Sequence, residues 1–256
     1  MWLKKDFPLI EGYESVGERG KRWLDFKINE LLDTADPVLE YRHRFKSRKE
    51  ICEFVITQFA YPLKFGMATD KHYNNWFSGL CCHKITLDYW QTASETLRTL
   101  HLNKRVGKPG YGDCEDTSVL FTTLMLQAGY QAYEVFGVVY KGDELLGGHG
   151  YAIFKDEEGK WRLFESTLDA PPRYSEGYPA VDITKNRWKV GDLSYEGWLM
   201  FNRKEYYEWE ENGIEGYLKF RHKDKNSKKK HKMINMAWVI CELVDIAFDA
   251  LKQRKL

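Results

Sequence analysis

The feature that most constrains the fold is a change of hydrophobic pattern around residue 129. Residues Glu115 to Gln127 (EDTSVLFTTLMLQ) are apolar on nearly every side of a helix, so a helix here must be buried. Gly129 is well placed to end it. The next stretch, Ala132 to Tyr140 (AYEVFGVVY), is β-branched and aromatic and predicts a strand. A buried helix followed by strands favours the α+β class.

Two further strands are predicted directly downstream, at Gly150 to Lys155 and at Lys160 to Thr167. The acidic turn DEEG joins them, which is typical of an antiparallel hairpin. The middle of the chain is therefore expected to be a central helix packed on an antiparallel sheet.

The rest of the chain is predicted to flank this core. Helical spacing of apolar residues predicts helices at Arg19 to Leu32, Arg48 to Ala60 and Ser94 to Leu102, with Ser94 as a candidate N-cap. Beyond Pro171 the chain is aromatic and is expected to be irregular up to about Phe220.

Three segments follow from these patterns. Residues 1–84 are predicted to form a helical N-terminal flank, and residues 85–220 the core of the protein with an aromatic-rich extension. Residues 221–256 are predicted to form a basic linker and a C-terminal amphipathic helix over Met233 to Leu251.

Charge and hydropathy narrow the choice of partners. The chain has 39 Lys and Arg against 38 Asp and Glu, so its net charge of +1 gives no general attraction for nucleic acid. The basic run from His222 to Lys232 is expected to be a solvated linker, with contact to nucleic acid or an anionic surface as the lesser alternative. No stretch approaches the ~18 apolar residues of a membrane span. The oligomeric state is not predicted.

The first residues, MWLKKDFPLIEGYES, do not resemble a signal peptide, because Asp6 and Pro8 interrupt the apolar stretch. The sequence therefore predicts a cytoplasmic protein. A place in a virion, or export without a signal, stays open as an alternative.

The segment GYGDCEDTSVLF places Cys114 where a glycine-rich loop meets the start of the buried helix. The N–H groups and partial positive charge at a helix N-terminus favour thiolate over thiol, which predicts a lowered pKa for Cys114. The same N–H groups can stabilise an oxyanion. Gly110 and Gly112 are expected to let the backbone approach a substrate closely. The alternative is that Cys114 is a small buried apolar residue.

An imidazole and a carboxylate follow Cys114 in the chain. His149 stands in GGHG at the mouth of a predicted strand, and Glu165 stands in LFEST on the next strand. The two side chains become neighbours if these strands form a hairpin in suitable register. A thiol, an imidazole and an acid in this order are typical of a nucleophile, its base and the group that orients the base.

These motifs resemble a known family. The segments GDCED, GHGYAIF and W-x-x-x-E-x-T, with the upstream DYWQTASETL, occur in the order typical of the transglutaminase-like superfamily, a branch of the papain-like cysteine enzymes. The resemblance is greatest to bacterial and archaeal transglutaminase-like cysteine proteinases. It covers about Ile85 to Asp169, a third of the chain.

The resemblance implies a papain-like core, a protein or peptide substrate and a catalytic set of Cys114, His149 and Glu165. The third member is usually Asp in the family, so Asp169 is the alternative to Glu165. The family also implies a Gln or a Trp as second oxyanion donor beside the Cys114 backbone N–H, which makes Gln91 and Trp90 candidates.

No cofactor is required by this chemistry, although the related proteinases bind calcium through acids beside the nucleophile. The matching residues here are Asp113, Glu115 and Asp116. Carboxylates in the first turn also stabilise a helix through its dipole, and this is the alternative role for all three.

The sequence leaves three functions open. The first is a cysteine peptidase or amidase, which hydrolyses a peptide or isopeptide bond. The second is a transglutaminase, in which an amine rather than water resolves the acyl-enzyme. The third is a non-catalytic binding or assembly module that retains the fold.

Overall fold

The fold is α+β, as predicted, with a central helix against a seven-stranded antiparallel sheet. The structure, a computed structural model, describes residues 1–10, 26–61, 90–104, 107, 109–167 and 177–227. The four α-helices of the described residues are α1 (Arg48–Gln58), α2 (Ala93–Lys104), α3 (Cys114–Gln127) and α4 (Gly213–Ser227). Ile28–Leu32 and Val38–Tyr41 form 3₁₀ helices.

Eleven strands are defined in the described residues. They are β1 (Trp2–Lys5), β2 (Leu9–Ile10), β3 (Phe26–Lys27), β4 (Phe59–Ala60), β5 (Gly110–Tyr111), β6 (Ala132–Lys141), β7 (Glu144–Lys155), β8 (Trp161–Phe164), β9 (Arg187–Val190), β10 (Leu193–Phe201) and β11 (Tyr206–Trp209). The main sheet has the order β1-β11-β10-β6-β7-β8, and β9 also pairs with β10. The predicted hairpin is confirmed, since β7 and β8 pair antiparallel across the DEEG turn.

The chain divides into two compact units, Met1–Lys219 and Phe220–Leu256. The main sheet and helix α3 lie in the first unit. The predicted boundary at residue 84 lies outside the described residues, as do the start of the helix predicted at Arg19 and the helix predicted over Met233 to Leu251. The three-segment division therefore stays a prediction. The described part of the N-terminal flank contains short strands as well as helices, and β1 lies at an edge of the main sheet.

The main sheet is buried on both faces. On one face the aromatic rings of Phe121 and Phe164 stack at 3.7 Å, which fixes helix α3 against β8. On the other face a second apolar cluster includes Tyr151, Trp188 and Tyr195. Because apolar clusters lie on both faces, most buried residues of the central strands are apolar, and the period-2 alternation of a half-buried strand is weakened.

The expectation of irregular chain from Pro171 to Phe220 is wrong for residues 177–220. This stretch contains β9, β10, β11 and the start of α4. Strand β10 ends in the run Leu199, Met200 and Phe201, which is buried throughout and contributes alternately to the two apolar clusters. Such a run lacks the alternation that predicts a strand, which is why the pattern was not informative.

Two local predictions need correction. The N-cap of α2 is Thr92 rather than Ser94: the Thr92 hydroxyl accepts from the Glu95 backbone N–H, and the Glu95 carboxylate accepts from the Thr92 N–H at 2.7 Å. Ser94 instead donates its hydroxyl to the Ala35 carbonyl. In addition, the described end of the helix predicted at Arg19 to Leu32 is a 3₁₀ helix, Ile28–Leu32.

The helices of the described residues were considered as possible membrane spans. None of those in the described residues combines the length and the apolar character needed to cross a bilayer.

Candidate active site

Cys114 is the first residue of helix α3, with Asp113 as its N-cap. The Asp113 backbone N–H donates to the Asp116 carboxylate at 3.1 Å, which closes the first turn. The Cys114 side chain is therefore placed beside the N–H groups of this turn. Only 7% of Cys114 is exposed.

Strand β7 passes directly against this helix start. The Gly150 backbone N–H lies near enough to the Cys114 sulfur to act on the thiol, and its effect is to lower the thiol pKa. A Cβ added at Gly150 would lie 2.8 Å from the Glu115 Cα, so only glycine permits this approach. His149 is the residue before Gly150, which places the predicted base one residue from the strand contact with the sulfur.

The Glu165 carboxylate lies against the His149 imidazole. Oε2 of Glu165 is 2.5 Å from Nε2 of His149, and the two side chains are 5% and 13% exposed. The pairing register of β7 and β8 explains the contact, because Ala152 lies opposite Phe164. Continuing that register places Glu165 opposite Tyr151, diagonal to His149 on the same face. The sequence prediction that these two side chains are neighbours therefore agrees with the geometry.

Other groups hold Glu165 in place. Its Oε1 accepts from the Thr167 backbone N–H at 2.8 Å and from the Thr167 hydroxyl at 2.7 Å. The Tyr195 ring lies 5.8 Å from that of His149, and burial together with the charge of the nearby Glu165 raises the pKa of the Tyr195 hydroxyl. Burial acts to raise the pKa of Glu165, but His149 and the Thr167 hydrogen bonds outweigh it and hold the pKa below its ordinary value. Asp169, the alternative third member, lies outside the described residues.

The Cys114 thiol donates to the Glu115 carboxylate, with Sγ and Oε2 only 2.7 Å apart. In the described part of the chain, the hydrogen-bond partner of this sulfur is Glu115 and not His149. The structure thus brings His149 and Glu165 together, while the contact between the Cys114 thiol and the imidazole stays a prediction. Catalytic hydrogen bonds often tighten only when substrate is bound.

The expected lowering of the Cys114 pKa is wrong for this arrangement. Burial raises the pKa of the thiol well above its ordinary value, and the negative charges of Glu115 and Asp113 raise it further. The Gly150 N–H acts in the opposite direction but does not outweigh them. The helix N-terminus alone therefore does not decide the protonation state of Cys114.

Asp116 has a structural role at the same helix start. Its carboxylate accepts from the Gln91 backbone N–H and from the Gln91 side-chain amide, both at 2.8 Å, as well as from Asp113. Gln91 is fully buried, and its amide group is directed to Asp116. Trp90, the other oxyanion candidate, is 2% exposed and packs against the Phe136 ring at 4.9 Å.

The residues that could hold a cation differ in part from the predicted set. The side-chain ligand atoms of Asp113, Cys114 and Glu115 lie within 4.8 Å of one another. The Asp116 carboxylate is instead engaged by Gln91 and Asp113. Two carboxylates suit calcium, whereas a thiol is a soft ligand that calcium does not prefer.

The glycines before Cys114 pack against the protein itself. A Cβ at Gly110 would lie 2.6 Å from the Phe59 ring, and a Cβ at Gly112 would lie 2.8 Å from the Asp116 Cβ. The close approach that these glycines allow here is to neighbouring side chains, and the approach to a substrate that the sequence suggested stays a prediction.

The sequence analysis did not identify two buried contacts beneath the site. Glu134 on β6 is fully buried and accepts from the hydroxyls of Ser118, at 2.5 Å, and Thr122, at 3.0 Å. The Tyr217 hydroxyl of α4 donates to Oε1 of Glu115 at 3.2 Å. An acid within the apolar run AYEVFGVVY was a signal for the first contact, whereas no sequence signal pointed to the second.

Comparisons with known proteins found only distant structural similarity. No protein-family model and no curated protein matches the chain. Among solved structures, EGTA-treated LapG from Legionella pneumophila is 16% identical over 72% of this chain and 84% of its own, with a TM-score of 0.31. A candidate cysteine protease from Cytophaga hutchinsonii is 14% identical over 67% of this chain and 53% of its own, with a TM-score of 0.25. Scores this low do not define the fold, which is described by the chain's own strand pairing.

Proposed function

We propose that this protein is a thiol-dependent acyl-transfer enzyme, a cysteine peptidase or amidase that hydrolyses a peptide or isopeptide bond. The observation that carries the proposal is the buried His149–Glu165 pair, at 2.5 Å, because His149 directly precedes Gly150, where strand β7 packs against the start of the helix that carries Cys114. A carboxylate on one imidazole nitrogen leaves the other to act on the thiol, which is the arrangement that activates a nucleophile.

In the proposed reaction the Cys114 sulfur attacks the carbonyl carbon of the substrate. His149 takes the thiol proton, and a new C–S bond forms as the carbonyl π electrons move to oxygen. The Cys114 backbone N–H, at the start of helix α3, is one donor to the oxyanion. Gln91 or Trp90 is proposed as the second donor. For Gln91 this would require its amide to leave Asp116.

The second half of the reaction regenerates the thiol. The oxyanion collapses, the C–N bond breaks, and the leaving amine takes the proton held by His149. Water, deprotonated by His149, then attacks the thioester and releases the acid and Cys114. Throughout these steps Glu165 keeps the imidazole in one tautomer and stabilises its protonated form.

The structure also indicates what must change for the reaction to begin. The Cys114 thiol is bonded to Glu115, whose charge opposes formation of the thiolate. The thiol must therefore turn from Glu115 to His149 when substrate arrives. Because Glu115 also accepts from Tyr217, its carboxylate has a second partner that can hold it after the thiol leaves.

Calcium is proposed as an optional ligand of the acids beside Cys114. Asp113 and Glu115 would hold it, and the bound charge would offset the two carboxylates that raise the thiol pKa. Addition of calcium after treatment with EGTA should then speed alkylation of Cys114 by iodoacetamide at pH 7. An unchanged rate at millimolar calcium would contradict this proposal.

One observation favours a non-catalytic module as the second candidate. A thiol held by a carboxylate, with its pKa raised, is a poor nucleophile at neutral pH. Such a module would retain its biological role when Cys114 is replaced, and iodoacetamide would not label Cys114 selectively.

The deciding experiment incubates the full chain with a mixture of denatured proteins and identifies new N-termini by mass spectrometry. The Cys114→Ala variant is the inactive comparison, and Cys52→Ala is the matched control, since Cys52 is also buried but lies on α1. New termini from the wild type and from Cys52→Ala, but not from Cys114→Ala, would support hydrolysis. Including a fluorescent primary amine distinguishes transglutaminase activity, which would attach the amine to substrate glutamines. Absence of both products, or products that persist in Cys114→Ala, would contradict the proposal.

A further inference from the structure

A polar cavity lies at the opposite end of the central helix from Cys114. Its volume is about 300 Å³, and its lining residues are Thr34, Leu39, Arg42, Leu126, Gln127 and Arg203. Gln127 is the last residue of α3, so at 1.5 Å per residue the cavity lies about 20 Å from the candidate nucleophile. This cavity is therefore separate from the candidate active site.

The cavity contains polar atoms that the protein does not satisfy. Both the nitrogen and the oxygen of the Gln127 side-chain amide are buried and have no hydrogen-bond partner, and the same is true of Nη2 of Arg203. Buried polar groups in folded proteins nearly always have a partner, and a missing one costs about 1–3 kcal/mol. All three atoms belong to residues that line the cavity, so a polar ligand or ordered water that reaches them would complete their hydrogen bonds.

The cavity also carries positive charge. Arg42 is exposed at its rim, and Arg203 is partly buried and fixed by a hydrogen bond from its Nε to the Leu32 carbonyl at 2.9 Å. That hydrogen bond orients the guanidinium, whose Nη2 is buried without a partner. The nearest acid that acts on Arg203 is Asp33, whose Oδ1 accepts from the Ser94 N–H at 2.9 Å. Two guanidinium groups thus belong to residues that line the cavity, and Asp33 acts on one of them, Arg203.

We infer that this cavity binds a small anion that carries a carboxylate or a phosphate group. The planar forks of Arg42 and Arg203 match the oxygens of either group, and the Gln127 amide supplies a further donor. The Gln127 carbonyl oxygen can accept from a hydroxyl or amine elsewhere on the same ligand. A volume of about 300 Å³ is at the lower end of the range for small-molecule sites, which fits a metabolite-sized anion and not a polymer.

The test measures binding of two probes to the full chain by isothermal titration calorimetry, at constant ionic strength set with chloride. The probes are inorganic phosphate and succinate, which separate the two head groups. Arg42→Gln removes one guanidinium, and Gln127→Leu removes the unsatisfied amide at similar volume. Lys204→Gln is the matched control, because Lys204 follows Arg203 in the chain but is exposed and does not line the cavity.

Saturable binding of one probe or both, weakened at least tenfold by Arg42→Gln and by Gln127→Leu but less than threefold by Lys204→Gln, would support the inference. The probe that binds more tightly would identify the head group. Two results would overturn the inference. If neither probe binds at millimolar concentration, water is the occupant of the cavity. If all three variants weaken probe binding equally, the binding reflects the general charge of the protein and not this site. Thermal unfolding of Gln127→Leu without ligand checks that this variant is folded. Because the substitution removes two unsatisfied polar atoms, its unfolding midpoint should equal or exceed that of the wild type.

Discussion

The Cys114 thiol and the Glu115 carboxylate form a hydrogen bond at the start of the central helix, with 2.7 Å between sulfur and oxygen. The two residues are adjacent in sequence, and the acid follows the candidate nucleophile directly. This contact stabilises the thiol relative to the thiolate and opposes the effect of the helix N-terminus. Glu115 is therefore positioned to control the reactivity of Cys114.

Replacing Glu115 should make Cys114 more reactive. In Glu115→Gln the negative charge is lost while the shape is kept, so the pKa of the Cys114 thiol should fall. The thiolate fraction at pH 7 then rises, and alkylation by iodoacetamide should be several-fold faster than in the wild type. The measurement is the alkylation rate between pH 6 and 10, followed by mass spectrometry of the peptide that carries Cys114.

Asp113→Asn and Glu158→Gln are the controls for this experiment. Asp113 raises the pKa of Cys114 less than Glu115 does, so its replacement should shift the profile in the same direction by a smaller amount. Glu158 is exposed and pairs with Lys160, and its replacement should leave the profile unchanged. An unchanged profile in Glu115→Gln would show that burial alone sets the reactivity of this thiol.

At neutral pH, loss of the Glu165 charge should greatly reduce turnover, whereas the free energy of unfolding should change much less. In Glu165→Gln the imidazole loses the carboxylate that fixes its tautomer, and kcat/KM should fall by about 10²–10⁴-fold. The measurement uses whichever peptide the wild type cleaves most readily. Retention of more than a third of the wild-type turnover would contradict the role given to Glu165.

The same variant should also show a defined pH dependence of stability. Because the pKa of Glu165 is lowered in the folded protein, its ionised form stabilises the fold above the unfolded value of about 4.3. This contribution is lost as the pH falls through the folded value. The difference in free energy of unfolding between wild type and Glu165→Gln should therefore shrink as the pH falls below about 4, as measured by urea unfolding.

Glu134 should have the opposite pH dependence. Burial raises the pKa of this carboxyl, with Ser118 and Thr122 only partly offsetting it, so the folded protein retains a proton that the unfolded chain releases above about pH 4.3. Wild-type stability should then fall with rising pH relative to Glu134→Gln, by up to about 1.4 kcal/mol per pH unit. The measurement is urea unfolding at pH 5 to 8.

The control for Glu134 is Glu144→Gln, which removes an exposed carboxyl from β7. It tests whether a change in net charge alone produces the slope. A difference between wild type and Glu134→Gln that stays constant from pH 5 to 8 would contradict a raised pKa for Glu134.

The sequence predicted the parts of the site that depend on local pattern. Helix α3 has apolar residues on all sides and strands β7 and β8 flank a clear turn, so their positions followed from periodicity and turn chemistry. The neighbouring positions of His149 and Glu165 followed from the hairpin, because the register of two adjacent strands is a local property.

The sequence did not predict contacts between distant or competing groups. The last three residues of strand β10 are buried on both faces, which removed the alternation there. The Tyr217 contact with Glu115 joins residues 102 positions apart. The state of Cys114 depended on a balance between the helix N-terminus, burial and two carboxylates. Which of these dominates depends on the depth of the sulfur and the side-chain direction of Glu115, and neither can be read from residue types alone.

The most direct test of the account is the pH profile of Cys114 alkylation in the wild type and in His149→Ala. If the imidazole activates the thiol, the wild type should show a reactive form at lower pH that is absent from His149→Ala, because a thiolate–imidazolium pair forms only when both groups are present. Tyr133→Phe is a control for the loss of an unrelated polar group, whose hydroxyl bonds to Glu205. Superimposable profiles for wild type and His149→Ala would contradict the central claim that Cys114 and His149 act together.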